Sequence, residues 1–282
     1  MISLRPMQLA DIDAGLKLCR AAGWNQHAGE WELFLRCSPG GCLVSLSDDG
    51  QITGSVTTIR YGEHVAWISM LLVFPEYRNK GVGQQLLRAA CEALQDVETV
   101  KLDATPAGRE VYLRNAFHDE YGITRFVSRQ RKWQPGKKSC KPIATAADLP
   151  GVREFDAKVF GADRAALLQW LVDAAPELAH HKREGDEIVA FCLGRRGFLY
   201  NHIGPVVASS AEDAAELVTA AVEQCDDRPV IIDVPRPEPE WLRWLAAYGF
   251  TPLRDFTRMF TGPNPTPGQR TLQFAVAGPE FG

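Results

Sequence analysis

An internal repeat is the feature of this sequence that most restricts its fold. The segment KLDATPAGREVYLRNAF (101–117) is similar to IIDVPRPEPEWLRWLAAYGF (231–250), and ITRFVS (123–128) is similar to FTRMFT (256–261). Asp103 and Asp233 lie 130 positions apart, and Arg125 and Arg258 lie 133 apart. Because two different landmarks give nearly one offset, we expect two copies of one α/β unit, each of ordinary domain size.

Strand and helix signals alternate within each copy, which predicts a mixed α/β sheet flanked by helices. The basic, proline-bearing stretch RQRKWQPGKKSCK (129–141) is typical of an exposed linker, since no periodic apolar face accompanies its charges. We therefore expect one domain over residues 1–133 and a second over 134–262. The last segment, 263–282, is too apolar for a disordered tail, and we expect it to dock on a domain surface.

Composition excludes several classes of function. A formal charge of -4 over 282 residues gives no electrostatic case for nucleic acid or an anionic membrane as partner. No apolar run reaches the roughly 18 residues of a membrane span, and Met1–Ala10 lacks signal-peptide character, so a cytoplasmic protein is expected. The seven scattered cysteines contain no C-x-x-C pair, and no metal site is expected, because the adjacent His180 and His181 would point to opposite faces of a strand.

The stretch VFPEYRNKGVGQQLL (73–87) carries the clearest chemical signal. An apolar strand ends there, and a helix begins directly after two cations and two glycines: Arg78, Lys80, Gly81 and Gly83. Free N–H groups and bare backbone at a helix N-terminus suit a phosphate, although a simple glycine turn into a surface helix is the alternative. The second copy reads GPVVASSAEDAAELVTAAV (204–222), with acidic residues that would repel an anion. We therefore predict an anion site in the first copy alone.

The hexapeptide Arg78-Asn79-Lys80-Gly81-Val82-Gly83 resembles the pyrophosphate-binding motif Arg/Gln-x-x-Gly-x-Gly/Ala of the GNAT superfamily of N-acetyltransferases. The preceding LLVFPEYR and the order of elements strengthen the match over residues 1 to about 133. The stretches AGWNQHAGEW, VKLDATPAGREVY, IGPVV and FTRMF are similar to tandem GNAT proteins whose C-terminal half is a degenerate GNAT-like domain. The resemblance thus implies two tandem GNAT-like domains, the second without the pyrophosphate loop.

This resemblance implies acetyl transfer from acetyl-CoA to an amine by direct attack. The pyrophosphate would lie on the loop formed by Arg78, Asn79, Lys80, Gly81, Val82, Gly83 and Gln84. The pantetheine amides would pair with the backbone of Leu71, Leu72 and Val73, as an added strand would. A backbone N–H near Met70 and Leu71 would then stabilise the oxyanion.

Tyr112 occupies the position of the tyrosine that protonates the leaving CoA thiolate in many members of the family. The family pattern Tyr-x-x-x-Gly-Phe reads Tyr112-Leu-Arg-Asn-Ala116-Phe117 here, and the missing glycine could shift the helix end. The alternative is that Tyr112 is a helix aromatic that fills the core.

The acceptor side and the general base are less defined. Trp24 and Asn25 lie between the first two predicted helices, where acceptor contacts usually form in this superfamily; Trp24 as a packing residue is the alternative. His202 would reach the acceptor pocket if the two halves pack with their open faces together, and otherwise is a structural histidine. Candidates for the base, each weighed against a solvated surface role, are His27, Glu30, Glu63 and His64, and a water chain could replace them.

Three functions are compatible with these residues. The preferred one is an acetyl-CoA-dependent N-acetyltransferase that acts on a small amine, with the second domain shaping the acceptor pocket. A protein-lysine acetyltransferase is an alternative that would require an open groove. The other is a non-catalytic acetyl-CoA-binding module, because a fold does not fix a function. The oligomeric state is left open.

Overall fold

A computed structural model describes residues 2–129, 139–143, 148–235, 238–264 and 268–282. The first half contains, in order, β1 (Ser3–Pro6), α1 (Ile12–Ala21), α2 (Ala28–Cys37), β2 (Leu43–Leu46), β3 (Ile52–Tyr61), β4 (Val65–Val73), α3 (Val82–Ala93), β5 (Thr99–Ala104), α4 (Pro106–Leu113) and β6 (His118–Ser128). The second half contains β7 (Lys141–Pro142), α5 (Leu149–Phe160), α6 (Ala165–Ala174), β8 (His180–Glu184), β9 (Glu187–Arg196), β10 (Asn201–Ala208), α7 (Ala211–Glu223), β11 (Val230–Val234), α8 (Pro239–Ala247), β12 (Phe250–Thr261) and β13 (Gln273–Ala275). None of the described helices is long and apolar enough to cross a bilayer.

The two halves repeat the same order of elements, and β13 is added at the end of the second half. Most strand pairs are antiparallel, and the pairs β4–β5 and β10–β11 are parallel. The prediction of a mixed sheet flanked by helices, built from two copies of one unit, is confirmed. The predicted boundary at residue 133 and most of the predicted linker lie outside the described residues.

All strands belong to one sheet, because the halves exchange their last long strands. The order is β1-β2-β3-β4-β5-β12-β6-β11-β10-β9-β8-β7, with β13 on β10. Strand β12 of the second half thus pairs with β5 of the first, and β6 of the first half pairs with β11 of the second. Each half therefore completes the sheet of the other.

Buried ion pairs join the exchanged strands. Arg258 on β12 lies opposite Asp103 on β5, and its Nε and Nη2 each donate to that carboxylate at 2.9 Å. Arg125 on β6 lies opposite Asp233 on β11 and donates from Nε at 2.7 Å and from Nη2 at 2.8 Å. Both pairs are buried, so the bidentate geometry satisfies charges that water does not reach.

Helix α3 covers the first half of the sheet as its pattern predicts. Leu86, Leu87, Ala90 and Leu94 are buried against β3 and β4, and exposed polar residues occupy the other side. This packing fixes the N-terminus of α3 beside the end of β4.

Candidate active site

A cleft forms where the parallel strands β4 and β5 separate. Their pairing covers Val65–Trp67 opposite Thr99–Lys101 and goes no further within the described chain. Beyond it, Met70 adopts a left-handed φ of 50° and the register between β4 and β3 shifts, so β4 bends away from β5. The N–H and C=O groups on this edge of β4 have no strand partner from the described residues. An extended ligand can pair with such an edge.

The cleft is lined by both halves of the molecule and is open to solvent on one side. The first half contributes Trp24, Asn25, Gln26, Ile68, Ser69, Met70, Leu71, Leu102, Asp103, Thr105, Tyr112 and Arg125. The second half contributes Arg254, Phe256, Pro279 and Glu280. The cleft therefore forms only when both halves are folded together.

The predicted phosphate loop lies between the end of β4 and the first turn of α3. Leu71, Leu72 and Val73 are on β4, and Arg78–Gln84 form the loop and the first helical turn. Arg78 Nε donates to the carbonyl of Val73 at 3.1 Å, which ties the loop to the strand. The first N–H groups of α3 have no acceptor within the helix, as at any helix N-terminus, and are available to an anion.

The two glycines of this loop serve different purposes. Gly81 is the N-cap of α3 with a φ of 81°, and a Cβ there would meet no atom within 4 Å, so backbone conformation requires this glycine. A Cβ at Gly83 would lie 3.7 Å from Val73 Cγ2, so position 83 faces the end of β4. Backbone conformation therefore explains Gly81, and the need for bare backbone beside a phosphate stays a prediction for Gly83.

Tyr112 lies on α4 and lines the cleft together with Met70 and Leu71. Burial raises the pKa of its phenol to about 12, so the phenol keeps its proton at neutral pH. Ala116 takes the place of the family's glycine and adopts a φ of 61°, the left-handed conformation that glycine favours. Phe117 N donates to the carbonyl of Tyr112 at 3.2 Å, which closes the helix end despite the substitution.

Of the acceptor-side residues predicted from the sequence, Trp24 and Asn25 line the cleft. The side chain of Asn25 is engaged by the second half: its Nδ2 donates to the carbonyl of Tyr200 at 3.1 Å. Its Oδ1 accepts from the N–H groups of Leu199 and Tyr200 at 2.7 and 2.9 Å. Asn25 therefore joins the first half of the molecule to the loop after β9.

The other predicted candidates lie outside the cleft lining. His27 is the N-cap of α2, and its ring lies 6.3 Å from that of Phe198. His202 is buried on β10 with Nε2 3.0 Å from Asp233 Oδ2, and burial lowers its pKa to about 4. Glu63 and His64 occupy the exposed turn before β4, where His64 Nδ1 lies 3.2 Å from Glu98.

Glu30 is buried one layer behind the cleft. Its Oε1 lies 3.4 Å from Arg195 Nε, and Arg195 in turn pairs with Glu280 in the cleft wall. Burial raises the pKa of Glu30 to about 7, and the nearby Arg195 limits the shift. Glu30 thus reaches the cleft through a chain of buried charged groups.

Sequence reasoning missed several residues that line the cleft. Gln26, Arg254, Phe256, Pro279 and Glu280 were not identified, and Asp103 and Arg125 were noted only as landmarks of the repeat. The repeat itself was a usable signal for Asp103 and Arg125, because each forms an ion pair with the opposite charge among the landmarks of the other copy. No local pattern distinguishes Arg254 or Glu280, because strand exchange and the path of residues 268–282 place them in the cleft.

The corresponding cleft of the second half is closed by the chain itself. Strands β10 and β11 pair over Asn201–Ile203, and β13 then pairs with β10, with Val206 opposite Ala275. The N–H of Val276 donates to the carbonyl of Asp233 on β11 at 2.9 Å. The segment with β13 therefore occupies the space that the first half leaves open between β4 and β5.

The N-terminus of α7 carries its own anions, as its sequence predicts. Ser210 is the N-cap, and its Oγ accepts from Asp213 N at 3.1 Å. Glu212 and Asp213 lie in the first turn, and Lys182 pairs with Asp213. The negative side chains complement the helix dipole and disfavour a phosphate there.

Comparisons with known proteins agree with this architecture. The acetyltransferase (GNAT) family model matches residues 14–117, and a second acetyltransferase (GNAT) domain model matches residues 152–275. The chain is 27% identical to the uncharacterized N-acetyltransferase YitH of Bacillus subtilis, over 78% of this chain and 77% of that protein. It is 26% identical to a holothin acyltransferase of a Pseudoalteromonas species, over 93% and 88% of the two chains.

Solved structures share the whole fold. A putative acetyltransferase from Pyrococcus horikoshii superposes with a TM-score of 0.84 and 22% identity, covering 100% of this chain and 96% of that one. A tandem GNAT protein from the clavulanic acid biosynthesis pathway gives a TM-score of 0.64 and 16% identity, covering 93% and 99%. The tandem arrangement is thus present in a solved protein whose whole length superposes on this chain.

Proposed function

The chain belongs to the GNAT family of N-acetyltransferases, and we propose that it transfers the acetyl group of acetyl-CoA to the primary amine of a small molecule by direct attack. The observation that carries this proposal is the cleft between β4 and β5. The cleft combines an unpaired strand edge with a protonated phenol, and the N-terminus of α3 lies beyond the end of the same strand. These are the three features that a thioester donor with a pyrophosphate and a leaving thiolate requires.

The residues present fit acetyl-CoA, the acetyl donor used throughout this family. The first turn of α3 and the loop Arg78–Gln84 would hold the pyrophosphate, and Leu71–Val73 would hold the pantetheine arm on the free edge of β4. A backbone N–H at the bend of β4, near Met70 and Leu71, would stabilise the oxyanion.

The bonds and protons of the proposed reaction balance. The amine nitrogen forms a bond to the thioester carbonyl carbon, and the C–S bond breaks. Tyr112 would donate its proton to the departing sulfur, and the attacking nitrogen would lose one proton to solvent or a nearby base.

The lining of the cleft favours a small acceptor over a protein lysine. Asn25 bonds the loop after β9 to the first half. Trp67 Nε1 donates a hydrogen bond to the carbonyl of Pro279 at 3.0 Å. Pro279 and Glu280 line the cleft together with Asn25, which supports a small acceptor, because a protein substrate would need an open groove.

A Tyr112→Phe variant tests the proposal. Release of free CoA thiol from acetyl-CoA would be followed over a panel of primary amines. The variant should lose roughly 10- to 1,000-fold in kcat, because the acid is removed, while acetyl-CoA affinity stays unchanged. Tyr248→Phe is the matched control, since Tyr248 stacks on Trp244 of α8 and is not among the residues that line the cleft. An unchanged kcat for Tyr112→Phe would reduce Tyr112 to a packing residue.

A further inference from the structure

One cationic side chain in the cleft lining has no ion-pair partner among the described residues. Four charged side chains line the cleft, Asp103, Arg125, Arg254 and Glu280. Three of them form ion pairs within the described chain: Asp103 with Arg258, Arg125 with Asp233, and Glu280 with Arg195, which Glu30 also contacts. Arg254 forms no ion pair with any described residue. The segments outside the described residues contain no Asp or Glu, and the two described carboxylates that raise the pKa of Arg254, Asp233 and Glu280, already pair with Arg125 and Arg195.

The surroundings of Arg254 make this lack of a partner costly. Its Nε is buried and has no hydrogen-bond partner among the described residues. Arg125 lies opposite Arg254 in the β6–β12 register, and each guanidinium lies 5.2 Å from the ring centroid of Phe256. Burial, and then the like charge of Arg125, lower the pKa of Arg254 below its ordinary value. An anion beside Arg254 would relieve both effects.

A second unsatisfied group lies in the same cleft wall. Gln26 is 7% exposed, and its Oε1 is buried without a hydrogen-bond partner from the described chain. Its Nε2 donates to Glu280 Oε1 at 2.9 Å, and because a carboxylate only accepts, this bond fixes which end of the amide faces Glu280. Gln26 therefore presents a bare acceptor oxygen, and a buried acceptor is costly unless a donor meets it.

We propose that the acceptor is an amine that also carries a carboxylate, which pairs with Arg254 while an N–H group of the acceptor bonds to Gln26 Oε1. A carboxylate suits a single guanidinium, since the two groups match as a planar, bidentate pair. This inference rests on the proposed function and specifies the substrate class of the same site.

The test compares matched amines that differ only in charge. Amino carboxylates and their carboxamides are offered as acceptors with saturating acetyl-CoA, and thiol release is measured. The wild type should prefer carboxylates by about 10- to 100-fold in kcat/KM, the range expected for a charge-assisted hydrogen bond. Arg254→Gln should abolish the preference, mainly through KM, and Arg254→Lys should restore part of it. Arg243→Gln, an exposed arginine on α8, is the matched control.

A binding measurement separates this inference from the proposed function. The same probes are titrated calorimetrically into protein saturated with CoA, which needs no turnover. Tighter binding of carboxylates that is lost in Arg254→Gln supports the inference even if no amine is acetylated. Equal binding or equal use of carboxylates and carboxamides by the wild type overturns it, and acetylation of both would leave the proposed function standing.

Discussion

At the residue scale, burial raises the pKa of two groups, one in the cleft and one behind it. Burial raises the pKa of the Tyr112 phenol to about 12, so the phenol, which is protonated at neutral pH even at its ordinary pKa of 10, stays protonated well into the alkaline range. Glu30 has a pKa of about 7 for the same reason, which lies far above the ordinary value of 4.5. The two shifts have different consequences: the first serves the proposed chemistry, and the second affects stability.

We predict that Glu30 makes stability depend on pH. Between pH values of about 4.5 and 7, the folded protein retains a proton that the unfolded chain has lost, so Glu30 lowers stability as pH rises through this window. Glu30→Gln removes this loss. The variant should gain stability relative to the wild type by up to about 3 kcal/mol between pH 4.5 and 7, following the size of the pKa shift. Urea unfolding at a series of pH values measures the difference.

Glu32→Gln is the control for this experiment, because Glu32 lies on the exposed side of the same helix. Its stability relative to the wild type should not change with pH. A constant difference between Glu30→Gln and the wild type across the window would contradict the assigned pKa of Glu30.

Sequence alone could identify Tyr112 as a candidate but not Arg254 or Gln26. Tyr112 is the first residue of a six-residue motif, and Ala116 adopts the left-handed conformation at the position where the motif has glycine. The importance of Arg254 depends on the lack of a partner, and that of Gln26 on one buried oxygen atom. Such properties arise from contacts between residues far apart in the sequence, which no local pattern encodes.

At the element scale, the alternation of strand and helix signals predicted the mixed sheet, and the strand-to-helix junction at 73–87 predicted α3. The apolar stripe of α3 and the glycine at its N-cap gave the site of the predicted phosphate loop, because the signal lies within fifteen consecutive residues. The bend of β4 was not predictable, since it depends on a left-handed Met70, a conformation that methionine rarely adopts. The separation of β4 from β5, which creates the cleft, follows from that bend.

Strand β13 was also beyond the reach of sequence patterns. Three residues, Gln273–Ala275, are too few for a periodic signal, and their partner β10 lies more than sixty positions earlier. This short element nevertheless makes the two halves differ, because it closes the cleft of the second half, whereas the corresponding cleft of the first half stays open. The same segment then continues to Pro279 and Glu280 in the cleft wall.

At the scale of the whole molecule, strand exchange converts the repeat into a single structure. The landmarks that revealed the repeat, Asp103, Arg125, Asp233 and Arg258, form the two reciprocal ion pairs that join the halves. The sequence predicted the two copies but not their exchange, because the offset between repeats is the same whether each copy pairs within itself or with its neighbour.

We predict that Arg258→Met strongly destabilises the protein. It leaves the Asp103 carboxylate buried without a partner and removes the hydrogen bond from Arg258 Nη1 to Tyr121 Oη, 2.5 Å long. Loss of one partner of a buried pair costs about 3–5 kcal/mol. Adding Asp103→Leu should recover much of this loss, because no buried charge then remains unpaired. Urea unfolding of the single and double variants measures both effects.

Lys158→Met is the surface control, since Lys158 pairs with Glu154 on the exposed side of α5 and should leave unfolding unchanged. Equal effects of Arg258→Met and Lys158→Met would show that the exchanged strands do not depend on their ion pairs.

The central claim is that one acetyl-CoA site exists per chain, at the open cleft of the first half. Calorimetric titration of acetyl-CoA into the wild type and Gly83→Glu tests it most directly. We expect one site per chain in the wild type and none in the variant, because the glutamate places a side chain and a negative charge between α3 and the end of β4. Two sites per chain, or undiminished binding by a folded Gly83→Glu variant, would contradict the claim.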